Sequence, residues 1–305
     1  MLYGAHLPVI GFDERPWTLQ RLRAYVRRAA ALGFRYLTTN DHLVFQRPFL
    51  DSLTSMAAMI ADSGEMILLP SIALPVVRGP VPLAKALAAL DVLSGGRLVA
   101  GVGPGSAAAD YAAVGISFEE RWERFDESVR ALRALLRRGE PAFAGRFYDT
   151  TGVDLRPRPV QEPGPPVWIG AWSSRVSLQR TVALADGWLA SAYNTTPARF
   201  AATLRTLQDL LSAAGRDAAA FPNGISTAYC YITDDRAAAS DTIRVLARTL
   251  ARSEADLAEQ LFVGPAGACA EKLMSYRDAG AQRIFIWPFT DEERQLEVFR
   301  ERVAV

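Results

Sequence analysis

Short runs of strand-forming residues alternate with helical stretches along the whole chain, and this rhythm limits the possible folds more than any other feature. Strand-like runs fall at 2–7, 34–39, 66–74, 97–102, 167–170, 187–191, 225–233 and 283–287. Between them, helical apolar spacing covers 18–32, 52–62, 81–93, 118–138, 175–185, 197–214, 235–250 and 265–279. Alternation of this kind requires parallel strands joined by crossover helices. About eight such units predict an α/β fold of the (β/α)8-barrel type, with an open doubly wound sheet of six strands plus extras as the alternative. A barrel of this kind takes about 250 residues and tolerates insertions, so the 305 residues are read as one domain, 1–305. Gly33 and the Ser94-Gly95-Gly96 run supply helix stops. One stretch breaks the rhythm. Phe143, Phe147 and Tyr148 around Gly145 suggest a hairpin, and Pro157, Pro159, Pro163, Pro165 and Pro166 follow, so 140–166 is read as a short insertion.

Half of the residues are apolar, enough for a large core. Charge is balanced, 34 basic against 33 acidic residues, so the chain lacks the basic footprint of a nucleic-acid binder. No run reaches the roughly 18 consecutive apolar residues of a membrane span, and residues 1–10 have no signal-peptide pattern. Cys230 and Cys269 lie far apart with no neighbouring Cys or His, which reads as free thiols in a reducing, cytoplasmic setting. With two histidines and no ligand spacing, no metal site is expected.

In a (β/α)8 barrel the chemistry sits just after the strands. After the second run stands Thr39-Asn40-Asp41-His42. The pair Asp41 and His42 suits proton transfer near neutral pH, or equally a structural His in a loop. After the third run, Pro70-Ser71-Ile72-Ala73-Leu74-Pro75 reads as a buried strand entering a loop. After the fourth, Gly101-Val102-Gly103-Pro104-Gly105-Ser106 is no dinucleotide fingerprint, because its sixth residue is Ser106 and no acidic strand end follows. Its glycines permit a tight turn or a close approach to a flat ligand. After the fifth, Gly170-Ala171-Trp172-Ser173-Ser174-Arg175 opens a helix and suits either a phosphate or an ordinary N-cap. Trp188 reads as core packing.

Together these segments resemble the luciferase-like monooxygenase superfamily, and especially its coenzyme F420-dependent branch. The resemblance rests on 33–42, on the run VPLAKALAALDVLSGGRL followed by LVAGVGPGS, on YAAVGISFEERWER, on VWIGAWSSR and on 185–188. Arg47-Pro48-Phe49-Leu50-Asp51 after the Asp-His pair adds to the F420 likeness. The resemblance implies a barrel holding a flavin-type ring at the strand C-termini, with F420 as cofactor and FMN as the alternative. It places Asp41 and His42 near ring and substrate, His42 passing the proton and Asp41 orienting it or touching the cofactor. It implies a non-prolyl cis peptide at Ser71–Ile72, with Gly103 and Gly105 bordering the ring. Gly170, Ala171, Ser173, Ser174 and Arg175 would hold the cofactor phosphate. The implied activity is hydride exchange with a small organic substrate. A flavin monooxygenase using oxygen, and a barrel that only binds, are the competing readings. Sugar-phosphate dehydrogenases of the branch carry a glutamate near the position of Ser106, so sugar-phosphate oxidation is not expected. The loops over the barrel mouth carry Phe45, Phe49, Tyr111 and Tyr193, joined by Trp287 and Phe289 after the last strand, and predict a largely apolar substrate. The apolar helix 83–93 is a candidate homodimer surface.

Overall fold

The computed structural model describes residues 1–304. Its strands are β1 (Leu2–His6), β2 (Tyr36–Thr39), β3 (Ile67–Pro70), β4 (Ala100–Val102), β5 (Val167–Gly170), β6 (Gly187–Ser191), β7 (Asn223–Ile232), β8 (Phe262–Gly264) and β9 (Arg283–Pro288). All pairings between them are parallel, in the order β3-β2-β1-β9-β7-β6-β5-β4. Bridges Leu68–Leu98 and Ala73–Val102 join β3 to β4 and complete the ring. The expected barrel is therefore present. A strand whose two faces are both covered needs apolar residues on both. β5 shows this: Trp168 points into the barrel with Tyr36, Leu69, Val99, Leu189 and Phe285, while Val167 and Ile169 join the larger core under the helices. The inner group plugs the lower barrel and leaves the upper end for the site.

Three local departures follow from length and turn chemistry. β8 was not foreseen. It has three residues, too few for a period to show, and it pairs with the end of β7 outside the ring. The third strand ends at Pro70, not at residue 74, because the chain turns at a cis Ser71–Ile72 peptide and enters the short helix Pro75–Arg78. The long helix expected over 118–138 begins instead as a 3-10 turn, Phe118–Glu120, and continues as Arg121–Leu136. The insertion forms a small antiparallel bridge, Ala144–Asp149. It is tied to the barrel wall by Glu127, which accepts from the N–H groups of Arg146 and Phe147, and by the buried Asp91, which accepts from Val160 N–H.

Candidate functional site

The strand ends converge on a cavity with two lobes. The first, of about 240 Å3, is lined by Asn40, Asp41, Ser71, Ile72, Gly105 and Gly170 among others. The second, of about 510 Å3, is lined by Phe45, Phe49, Tyr229 and Trp287 among others. Asn40, His42, Ser106, Tyr193 and Thr227 border both lobes and mark their junction. β7 reaches this junction through a bulge. Its register with β9 shifts between Ile225 and Ala228, and Thr227 has a φ of 55°. A bulge turns neighbouring side chains to one side, and here both Ser226 and Thr227 line the first lobe. Ser226 is joined to Ser71 across the mouth, with 2.5 Å between the two hydroxyl oxygens.

The wall of the first lobe is built around Ile72. A Cβ on Gly103 would lie 2.2 Å from the Ile72 Cδ1, and one on Gly170 would lie 3.0 Å from its Cγ2. The side chain of Ile72 therefore stands where it does because two neighbouring positions have none. Gly103 itself does not border the cavity: it is buried and seats Ile72, whereas Gly105 does line the lobe. Of the two glycines expected beside a ring, Gly105 is thus the one at the cavity surface. Gly170 and Ala171 line the lobe and are followed by the exposed Trp172. Ser173, Ser174 and Arg175 lie beyond it, exposed at the start of the helix Arg175–Leu184. The Ser174 Oγ caps that helix by accepting from Ser177 N–H. Trp188 is core, as read: it is buried, donates to the carbonyl of Ala171 and stacks on Phe200.

The Asp-His pair does not work as a pair. Asp41 is buried and accepts two hydrogen bonds from Arg78, from Nε and Nη2, each at 2.7 Å, plus one from Leu74 N–H. Arg78 also reaches Asp51, which caps the helix Ser52–Ala58. Asp41 thus fastens the loop after β2 to the loop after β3 and does not orient His42. That task falls to Asp110, whose Oδ2 lies 2.7 Å from His42 Nδ1 while its Oδ1 accepts from Leu43 and Val44 N–H. The imidazole is held further by stacking on Phe45 and an edge contact with Phe49. His42 Nε2 has no partner among the described residues and is left for the cavity. Sequence reading missed Asp110 because its partner is 68 positions away and its short helix, Ala108–Ala113, was taken as loop. It is nevertheless the one acidic residue between 106 and 116, which was the available signal. Arg78 and Arg121 were missed as well; Arg121 lines the first lobe and packs on the Phe118 ring.

Burial pushes the Asp110 carboxyl up, but the hydrogen bonds from His42, Val44 and Leu43 outweigh it and hold the group below the usual carboxylate range. Because the folded value is depressed, this carboxylate stabilises the fold above the unfolded value of about 4. The contribution is lost as pH falls through the folded value. Asp110→Asn is therefore expected to melt below wild type near neutral pH, and the gap should narrow once the pH drops below about 4. Thermal melts across pH 3–7 check this; a gap that widens towards acid contradicts it.

Of the residues expected over the mouth, Phe45, Phe49, Tyr193 and Trp287 line the second lobe. Tyr111 does not. It is fully buried, its hydroxyl donates to the Pro104 carbonyl, and it packs edge-on against Phe118. The helix Ala108–Ala113 turns it inward beneath the loop it was thought to decorate.

Comparison with known proteins gives a consistent picture. The family model for luciferase-like monooxygenases matches residues 9–283. The F420-dependent glucose-6-phosphate dehydrogenase of Mycolicibacterium smegmatis is 31% identical over 225 residues, 70% of this chain and 66% of that protein. The FMNH(2)-dependent dimethylsulfone monooxygenase of Pseudomonas putida is 27% identical over 184 residues, 56% of this chain and 48% of that protein. The monooxygenase RslO1 from Streptomyces bottropensis superposes with a TM-score of 0.84 at 25% identity, covering 100% of this chain and 99% of that one. The chain thus spans about half to two thirds of the length of these curated relatives.

Proposed function

The chain belongs to the luciferase-like monooxygenase family, and from that premise we propose that it is a coenzyme F420-dependent oxidoreductase exchanging a hydride with a small organic substrate. The observation that carries this reading is His42, clamped by Asp110 at the junction of the two lobes with Nε2 left open. A hydride exchanged with an organic substrate is accompanied by a proton, and a fixed imidazole between ring and substrate is suited to carry it.

The residues of the first lobe fit a flat ring. Ile72, seated between Gly103 and Gly170, offers an apolar platform. Asn40 Oδ1 is a buried acceptor without a partner, which a ring N–H would satisfy. Ser173, Ser174 and Arg175, exposed beyond the lobe at the N-terminus of the helix Arg175–Leu184, are our assignment for the cofactor phosphate, which the free N–H groups of that helix end support. Bound there, the deazaflavin supplies a hydride donor or acceptor; the protein supplies orientation, exclusion of water and the proton path. Asp41, in the same lining, keeps the loop after β2 against the platform.

The second reading, an FMN-dependent monooxygenase, is supported by the full-length likeness to a monooxygenase structure. The F420 reading is preferred because the F420-dependent relative matches more of the chain at higher identity than the FMN-dependent one. Titrating the apoprotein with oxidised F420 and separately with FMN, followed by fluorescence, is expected to show tighter binding of F420. Selective FMN binding, with oxygen uptake in the presence of reduced FMN, overturns the proposal and makes the monooxygenase the better reading.

A further inference from the structure

The lining of the second lobe states what it can hold. It contains no Asp, Glu, Lys or Arg. Arg47, beside it, donates to the Thr249 hydroxyl and the Gly11 carbonyl and packs over Phe12. A charged substrate buried here would meet no fixed counter-charge, His42 being the one lining group able to take up a proton, and an uncompensated charge in an apolar site is strongly disfavoured.

Some polar groups of the lining are already engaged, while Asn40 Oδ1 and Trp287 Nε1 are buried without a partner. Gln46 Nε2 donates to the Thr249 carbonyl. The Thr227 hydroxyl is shared with Ser191 and the Ser226 carbonyl. Tyr229 differs. It is 3% exposed, its hydroxyl has no hydrogen-bond partner among the described residues, and it is not sealed off from the lobe. Its ring is fixed edge-on against Trp287 and Phe12. Trp287 in turn stacks on His6, with 3.5 Å between ring centroids. Burial pushes the Tyr229 phenol well above its ordinary value, so it stays protonated and can donate. A rigid donor that lacks a protein partner and faces the lobe is available to an acceptor on a ligand.

We propose that the second lobe binds uncharged, ring-sized apolar substrates carrying a carbonyl or hydroxyl oxygen, and that the Tyr229 hydroxyl donates a hydrogen bond to that oxygen. The inference rests on the reading of this lobe as the substrate chamber, and it is independent of which cofactor fills the first.

The test uses the full chain without cofactor, wild type and Tyr229→Phe, titrated calorimetrically with acetophenone, ethylbenzene and benzoate. Acetophenone is expected to bind wild type at least about tenfold more tightly than benzoate. Tyr229→Phe should weaken acetophenone by about three- to tenfold, the effect of one neutral hydrogen bond, and leave ethylbenzene unchanged. Benzoate binding as tightly as acetophenone overturns the proposal. So does a Tyr229→Phe variant that leaves acetophenone unaffected or weakens both neutral ligands alike, and so does an absence of acetophenone binding. A failure of the cofactor reading would show in the F420 and FMN titrations and leave these results standing.

Discussion

His42→Ala is expected to lower kcat by about 10²- to 10⁴-fold, the usual contribution of a positioned proton carrier, while cofactor affinity changes far less than turnover. The reasoning starts from geometry. Nδ1 is occupied by Asp110 at 2.7 Å, so proton exchange with anything in the cavity falls to Nε2. Asp110 also accepts from two loop N–H groups, which makes it a rigid anchor and not a second mobile acid. It is a positioning residue, and Asp110→Asn should reduce kcat by a smaller factor than loss of the imidazole. Added imidazole should restore part of the activity of His42→Ala and none of that lost in Asp110→Asn. Turnover of His42→Ala within a few-fold of wild type, at saturating cofactor, would show that the proton travels by another route.

The fold was legible because it is written in a repeating pattern. Alternating βα units with strands apolar on both faces admit few architectures, and the insertion announced itself through its prolines. Segments too short to carry a period were not legible: β8, the helix Ala108–Ala113 and the turn at Ser71–Ile72 as a strand end. The site divided along the same line. Residues at strand ends could be located, so His42, Ser71, Ile72, Gly105, Gly170 and Trp287 were found at the cavity. The partners of buried charges could not be located, because they come from other units of the barrel. Asp41 and His42 are neighbours in sequence and look like a pair. In three dimensions successive side chains point apart, and each takes a partner from a different loop, Arg78 for one and Asp110 for the other.

That exchange of partners makes Arg78 the residue whose loss should cost the fold most. Asp41 is 2% exposed and receives both arms of the guanidinium in a bidentate pair. With Arg78→Met, a buried carboxylate would keep one hydrogen bond, from Leu74 N–H at 3.2 Å. Removing one partner of a buried pair costs about 3–5 kcal/mol. Arg78 retains some solvent contact, so the lower end applies, and the melting temperature should drop by roughly 4–6 °C. Arg78→Lys should fall between, since an ammonium cannot fill both arms of the fork. Asp41→Asn added to Arg78→Met should recover much of the loss, because the charge that had been stranded is gone. The same variants should weaken ligand binding in the first lobe. The guanidinium supplies the side-chain link between the loop carrying Asn40 and His42 and the loop carrying Ile72, and it also holds the Asp51 cap. An Arg78→Met protein melting within about 2 °C of wild type would mean that solvent reaches Asp41 and replaces the arginine, and the coupling between the two loops would then have to come from the backbone, where Ser71 N–H donates to the Thr39 carbonyl.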